Sequence, residues 1–556
     1  MLKLGHADNE GQLQSGFHSI QKRYRVSIKK YTRLGPGESL HFFYVACYGD
    51  RVVHNLFSGQ VLMQLIRETV YTHDEMDALL APKSVVIIGA SARLGSFGER
   101  TLKNLRAGFE RPVYLVNPQY EEIGGDKCYP DLRSLPEVPD CAVVAVPREK
   151  VHGLVAQCVA RGVPGVLIFA SGYAETDFAE RQVEQQALTD LVRGTRTRVV
   201  GPNCIGFSNY VAGVRLSFSE FPACEAGPGA IGIVSQSGAL AMALAQSAHQ
   251  GTAVSHALAC GNMSDVDVAD YISYLADEPS CKVIVCLIEG HEHPARMEQA
   301  ALRAMAANKP LIVHKLGKSP KGAYAAWRHT ASTAGSYDSW KTLFARSGAV
   351  LVENFDSVLE VAGFFGKAPR ARGRGAAILS TSGGACIIAA DSAAAHDVDL
   401  PQANEENARV LAGAIPDFGY ALNPYDTTAQ VISDPASFTA CAGALMSDPA
   451  FDTLVMPQIQ AYDAATPRIA TLNEQAGLHG KIACNVWLTQ WMGGPGYAQT
   501  AASPHVALFR STDTCFWTIA QWQKRQQAID AQGVTPRLLP SPGRPDRFIT
   551  TRERQT

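Results

Sequence analysis

At 556 residues, the chain has room for about three or four domains, each large enough to bury its own core without disulfide staples. Lys plus Arg number 50 against 52 Asp plus Glu, a formal charge of −2, which argues against a nucleic-acid coat and against a polybasic membrane anchor. Charged residues are 18% and apolar residues 46%, fewer charges than the ~25% of an ordinary soluble domain, so much buried surface is expected, subunit interfaces included.

The first residues, MLKLGHADNEGQLQSGFHSIQKRYR, carry no apolar signal core, and no window approaches a membrane-spanning apolar run. The 13 cysteines form no C-x-x-C pair and no zinc spacing, so reduced, buried thiols and a cytoplasmic setting are expected, with no metal site. Residues 1–75 mix basic and aromatic residues without a βα rhythm. They are taken as an N-terminal extension, either an accessory module or, the favoured reading, a mis-assigned start upstream of Met76.

From Lys83 the rhythm is βαβα. Apolar runs at 84–90, 112–118, 140–147 and 163–172 predict strands covered on both faces, with helices after Gly98 and over 149–162. Alternation of this kind predicts a parallel, doubly wound sheet. A break is placed near Pro222 to Gly229, so the first domain is 76–225. A second α/β unit, 226–368, begins at AIGIVSQSGALA and includes strands at 282–290 and 309–317. After a basic, Gly-rich linker at 367–375, a third unit, 369–525, begins at AAILSTSGGACIIAAD. The Pro- and Arg-rich tail within 526–556 is expected to be poorly ordered. Trp491 and Phe516 are expected in the core of the third unit.

Three glycine turns open helices. The first contains Gly89, Ser91, Gly95 and Gly98. Such a turn lets backbone N–H groups approach a phosphate. Its G-x5-G-x2-G spacing, and Asn117 where a dinucleotide site wants an acidic residue, oppose NAD; an NAD-dependent oxidoreductase is disfavoured, and coenzyme A is a natural candidate. The second turn, Ser235, Gln236, Ser237 and Gly238, and the third, Ser382, Gly383 and Gly384, place hydroxyls and free N–H groups at helix starts. Two such starts could face one phosphate in transit.

Of 15 histidines, His329 stands out because small and hydroxylic residues follow it, in HTASTAGS. A neutral imidazole can carry a phosphoryl group if an acceptor orients its other nitrogen. Glu289, ending the apolar strand KVIVCLIE, is the candidate orienting group.

The ordered segments SVVIIGASARLGSFGERTLKNL, VNP, RVVGPNCIGFSN, GIVSQSGALA, GN at 261–262, IEG at 288–290 and HTASTAGS resemble the NDP-forming acyl-CoA synthetases. This family includes the α subunits of ADP-forming acetyl-CoA synthetases and, more distantly, the α subunit of succinyl-CoA synthetase. SGGACIIAAD and LNPYDTT resemble the family's following CoA-ligase domain. The resemblance covers about 76–520. It implies a Rossmann-like CoA-binding domain followed by two flavodoxin-like domains, and an acid–thiol ligase.

It also implies residue roles. Gly89, Ser91, Gly95, Gly98, Asn117, Pro147, Asn203 and Cys204 would hold coenzyme A. His329 would be the phosphohistidine and Glu289 its orienting partner. Ser235, Ser237, Gly238, Ser382, Gly383 and Gly384 would cradle phosphate. Two departures stand out. Ala331 replaces the family's usual glycine after His-Thr. No ATP-grasp domain is visible after about 525, so ATP/ADP and Mg²⁺ are expected to bind a separate β subunit in a hetero-oligomer. The other reading is a non-catalytic CoA-binding regulatory protein.

Overall fold

The computed structural model describes strands at 27–34, 40–48 and 51–52, and residues 67–533 except 177, 225–229, 292, 331–335 and 430–433. The chain divides into two units, Met1–Val70 and Tyr71–Thr556. In the first, strands Ser27–Leu34, Leu40–Tyr48 and Arg51–Val52 form an antiparallel sheet.

The second unit starts five residues earlier than the expected boundary at 75/76. Thr72 caps helix His73–Leu80 in a capping box with Glu75, satisfying N–H groups the first turn leaves open. The Tyr71 N–H donates to Asp270 at 2.8 Å and its hydroxyl donates to Asp265 at 2.6 Å. Arg198 lies 4.0 Å over the Tyr71 ring and pairs with Glu75 at 3.0 Å. Residues 71–75 are therefore part of the packed fold.

His73 fastens this helix to helix Val268–Asp277. It stacks on Tyr274 with ring centroids 4.3 Å apart, and its Nε2 lies 3.3 Å from the Glu278 carboxylate. The hydrogen bond to Glu278 raises the His73 pKa. Burial opposes ionisation of Glu278, but bonds from His73 and Ser280 hold it down at about 2. The His73 contribution is therefore complete below its ordinary value of 6.5 and disappears as pH rises through its raised value. The Glu278 contribution is complete above its ordinary 4.5 and is lost only as pH falls through about 2. A His73→Gln variant should melt below the wild type most clearly near roughly pH 5–6, with the gap closing toward about pH 8. A gap independent of pH in thermal melts would remove the charge from this account.

Three sheets follow. In the first, strands Arg198–Val200, Gly165–Ile168, Cys141–Val144, Val85–Ile88, Val113–Val116 and Asp126–Tyr129 lie side by side, all parallel. In chain order this is 6-5-4-1-2-3, the doubly wound dinucleotide-type order. The expected strands lie where their apolar runs place them. Strands Asp126–Tyr129 and Arg198–Val200 and the short edge strand Glu122–Ile123 were not expected.

In the second sheet, strands Val254–Ala259, Ile231–Ser235, Val283–Ile288, Leu311–Lys315 and Val350–Leu351 run parallel in chain order 2-1-3-4-5. The hairpin Gly206–Asn209 and Val214–Ser217 extends it antiparallel. Sequence placed that hairpin in the first domain; its backbone partner is strand Val254–Ala259, so the sheet boundary falls just after Cys204 instead of at 225.

In the third sheet, strands Tyr425–Asp426, Gly375–Ser380, Phe451–Gln458, Ile482–Trp487 and Val506–Phe509 repeat the 2-1-3-4-5 order. The protein is thus a Rossmann-like domain followed by two flavodoxin-like domains.

The connection at 367–375 is not a loose linker. Lys367 ends helix Val358–Lys367, and the N–H groups of Arg372 and Arg374 both donate to Asp452. Side chains of the second and third domains, among them Phe364, Phe509 and Trp522, form one continuous core. The tail also begins later than expected: helix Thr512–Ala531 continues through 526–531, with Ile529 buried. Residues 534–556 lie outside the described residues. Phe516 is fully buried, but Trp491 is 58% exposed, contrary to its expected place in the core. Twelve described cysteines are all free, eleven of them buried.

Candidate functional site

In open α/β sheets, ligands meet the crevice at the carboxyl ends of the strands, where the strand order reverses. In the first domain that point lies between strands Val85–Ile88 and Cys141–Val144. Gly89 leaves the first of these with φ +90°, and a Cβ on it would lie 2.4 Å from the Ala145 carbonyl oxygen. A Cβ on Gly98 would lie 2.3 Å from the Gly89 carbonyl oxygen. Backbone therefore packs on backbone from strand end to helix start. Ser96 caps helix Phe97–Arg106.

The expected coenzyme A residues divide into groups. Ser91 accepts from the Arg93 N–H at 3.0 Å and shapes the loop. Gly95 donates its N–H to Glu99 at 3.0 Å. Asn117 donates to the Ala90 carbonyl at 2.7 Å and accepts from Gln119 at 3.0 Å, so it braces the Gly89 turn. Pro147 precedes helix Arg148–Arg161 at the neighbouring strand end. The cradle of Gly89 and Gly98, which has backbone where a side chain would stand, fits close approach by an extended phosphate-bearing ligand.

Asn203 and Cys204 belong to a joint between domains. Asn203 follows a cis Gly201–Pro202 bond, adopts φ 55°, and donates to Asn262 at 3.1 Å. Asn262 in turn donates to Glu175 and to Gln185 at 2.9 Å. Cys204 is 2% exposed; its thiol donates to the Ala259 carbonyl at 3.2 Å and accepts from Gly206, and burial raises its pKa to about 12. The Cys204 side chain is thus packed inside, and this turn offers a ligand its backbone.

The second-domain switch point lies between strands Ile231–Ser235 and Val283–Ile288. Ser235 is fully buried and accepts from the Ser237 N–H at 3.1 Å; Ser237 caps helix Gly238–Ala245. Glu289, 4% exposed, follows the adjacent strand. Two residues that sequence did not select as site residues hold its turn, Gln236 and Lys315. Gln236 accepts from the N–H groups of Glu289 and Gly290. Lys315 donates to the Glu289 carbonyl at 2.7 Å. Gln236 lies between two residues that sequence did select, and a lone lysine in the apolar strand Leu311–Lys315 was a visible signal.

Two residues beyond Glu289, His291 joins a buried cluster: its Nε2 lies 2.9 Å from Asp267, which pairs with Arg296 at 2.6 Å. His329 lies in the last turn of helix Pro320–Thr330. Its side chain and Ala331 lie outside the described residues.

The third domain repeats the second-domain turn. Ser380 is buried, accepts from Ser382 at 3.3 Å, and Ser382 caps helix Gly383–Ala395. Gly384 continues that first turn. A cavity of about 90 Å³ adjoins this switch point, lined by Ser380, Thr381, Gln458, Gln460, Tyr462 and Arg468 among others. Among the described residues no cluster of three or more His, Cys, Asp or Glu could hold a metal, and no helix is long and apolar enough to cross a membrane.

Comparison with known proteins follows the same division. Residues 83–210 match the model of a CoA binding domain, and 228–365 that of a succinyl-CoA ligase like flavodoxin domain. The chain is 31% identical over 381 residues to the α subunit of ADP-forming acetate–CoA ligase II of Pyrococcus furiosus, covering 68% of this chain and 81% of the relative. The chain belongs to the NDP-forming acyl-CoA synthetases.

It is of the α-subunit type within this succinyl-CoA synthetase-like family. It is also 35% identical to a trans-feruloyl-CoA synthase from an unknown prokaryotic organism, across 71% of this chain and 56% of the relative. With ADP-forming acetate–CoA ligase I of Archaeoglobus fulgidus, identity is 34% across 63% of this chain and 50% of the relative. This NDP-forming synthetase chain thus spans about half the length of those two relatives. Among solved structures, the dinucleotide-forming acetyl-coenzyme A synthetase 1 of Ca. Korarchaeum cryptofilum, in complex with phosphate and ADP, superposes with a TM-score of 0.73 at 25% identity, over 83% of this chain and 99% of that one.

Proposed function

We propose that this chain is one subunit of an acid–thiol ligase that makes acyl-CoA from a carboxylic acid and coenzyme A, with ATP/ADP turnover through a phosphohistidine. The observation that carries the reading is the second-domain switch point. There the buried Glu289 and the capped helix start at Ser237–Gly238 stand at neighbouring strand ends. In open α/β sheets, ligands bind at such a switch point, outside the carboxyl ends of the strands.

In this reading the first domain presents coenzyme A from the Gly89–Gly98 cradle. Its thiolate displaces phosphate from an acyl phosphate, giving the thioester. In the other direction, phosphate displaces coenzyme A from acyl-CoA, and the neutral imidazole of His329 attacks the phosphorus of the acyl phosphate. The carboxylate leaves, and the phosphoryl group on His329 passes to ADP. The N–H of the His329 imidazole donates to the Glu289 carboxylate, which keeps the other ring nitrogen available for attack. The N–H groups at Ser235–Gly238 and Ser382–Gly384 meet the charge that develops on the moving phosphoryl group. ATP/ADP and Mg²⁺ bind a separate ATP-grasp subunit. A cytoplasmic setting accords with the free, buried thiols.

The test mixes the full chain with a candidate ATP-grasp subunit, Mg²⁺ and γ-labelled ATP. An acid-labile label on His329 is expected, and His329→Asn should abolish it. Label that persists unchanged in that variant rejects the assignment. Glu289→Gln should stay folded and label at least ~10-fold more slowly; unchanged kinetics would strike Glu289 from the relay.

A further inference from the structure

The Glu289–Gly290 dipeptide leaves the sheet at the second-domain switch point, yet all four of its backbone polar groups are held by two side chains. Gln236 Oε1 accepts from both N–H groups, at 3.1 Å from Gly290, and Gln236 Nε2 donates to the Gly290 carbonyl at 2.8 Å. Lys315 Nζ donates to the Glu289 carbonyl at 2.7 Å and also to the Leu316 carbonyl. A neutral amide would satisfy a carbonyl at less cost than a buried ammonium, because desolvation penalises charge far more than polarity.

Two other buried lysines define the contrast. Lys309 donates to the carbonyls of Leu275 and Glu278 at the end of helix Val268–Asp277. Lys481 donates to the Asp448 carbonyl at the end of helix Pro435–Ser447. Both sit on the negative pole of a helix, which favours a cation. Lys315 faces two strand ends and no helix C-terminus. Burial pulls its pKa down to about 8, opposed only by the charge of Glu289. An ammonium carries three donors, and among the described residues two of them meet carbonyls.

We infer that Gln236 and Lys315 are positioning residues for Glu289: they fix its turn, and Lys315 sets a positive charge beside its carboxylate. The inference deepens the proposed phosphoryl relay and rests on it. With the turn fixed, the Glu289 carboxylate is preorganised, and no reorganisation is needed as charge moves.

The test is single-turnover labelling of the full chain by γ-labelled ATP, Mg²⁺ and the ATP-grasp subunit at several subunit concentrations. Lys315→Met should lower the maximal rate at least ~10-fold, the scale of a lost preorganised donor, leaving the half-saturating subunit concentration within about twofold. Lys315→Arg should recover part of the rate by restoring charge. Lys309→Met removes an equally buried lysine far from this turn in its bonding, and should cost stability without changing the rate. If Lys315→Met does not fold, Gln236→Glu carries the test. It can still accept both N–H bonds but loses the donated one and adds like charge, so the same drop is expected. No label on the wild type rejects the relay and this assignment with it. A labelled wild type with unchanged Lys315→Met or Gln236→Glu rates, or with Lys309→Met equally slow, rejects the positioning role alone.

Discussion

Gly98→Ala is expected to weaken coenzyme A binding at least ~100-fold, about 2.7 kcal/mol of affinity, and to lower the melting temperature. The new Cβ would lie 2.3 Å from the Gly89 carbonyl oxygen and 3.0 Å from the Ala90 Cα. Both are backbone atoms of the turn that leaves strand Val85–Ile88, and Gly89 has its own close approach to the Ala145 carbonyl. Neither side can yield by rotating a side chain. Helix Phe97–Arg106 must move off the switch point, and overpacking of this kind costs about 1–3 kcal/mol of stability as well.

Gly153→Ala provides the control. Gly153 lies within helix Arg148–Arg161, with nothing within 4 Å of its would-be Cβ. Alanine there should stabilise the helix by about 0.5–1 kcal/mol and leave binding unchanged. Titration calorimetry with coenzyme A and thermal melts read both effects. Wild-type affinity in Gly98→Ala would remove this cradle from the binding site.

Much of the fold was legible because the central parallel strands are covered on both faces, so VVII, CAVV, GVLI and VIVCLI stand out as apolar runs. The hairpin at 206–217 was not. Its four-residue strands are too short for periodicity to resolve, and its membership in the second sheet depends on pairing with Val254–Ala259, some fifty residues away. Pairing across such a gap leaves no local trace. The start of the fold was misplaced for a similar reason: Tyr71 acquires its importance only from Asp265 and Asp270.

At the site, residue types that announce a turn were visible. Sequence could select Ser235, Gly238 and Glu289, because glycine and hydroxyl residues after an apolar strand mark a helix start. It could not tell a ligand-facing side chain from one that braces the backbone. Asn117 and the turn containing Cys204 were selected as lining the coenzyme A site; in the fold the Asn117 side chain also braces the Ala90 carbonyl, and the Cys204 thiol is enclosed at the domain joint. Gln236 and Lys315 were passed over because their partners are backbone atoms, which carry no residue signature.

Arg296→Met is expected to cost about 3–5 kcal/mol of stability, the scale for removing one partner from a buried ion pair. Arg296 is 3% exposed and reaches two carboxylates: Asp267 at 2.6 Å, and both oxygens of Asp270 at 3.0 Å. Asp270 is fully buried and Asp267 nearly so. Methionine would fill much of the volume and leave the two like charges facing each other. Among the donors that remain to them are the N–H groups of Tyr71, Asp267, Ala269 and Asp270 and the ring of His291. The loss should reach the proposed relay, because the cluster anchors the segment that follows Glu289. His291 Nδ1 accepts from the His293 N–H at 3.0 Å, so Nε2–H donates to Asp267 at 2.9 Å. Loosening Asp267 frees the ring and, with it, the chain just beyond the Glu289–Gly290 turn. Urea unfolding should show the lower midpoint. A deficit below about 1 kcal/mol would mean that Arg296 does not hold the two aspartates in a buried ion-pair cluster.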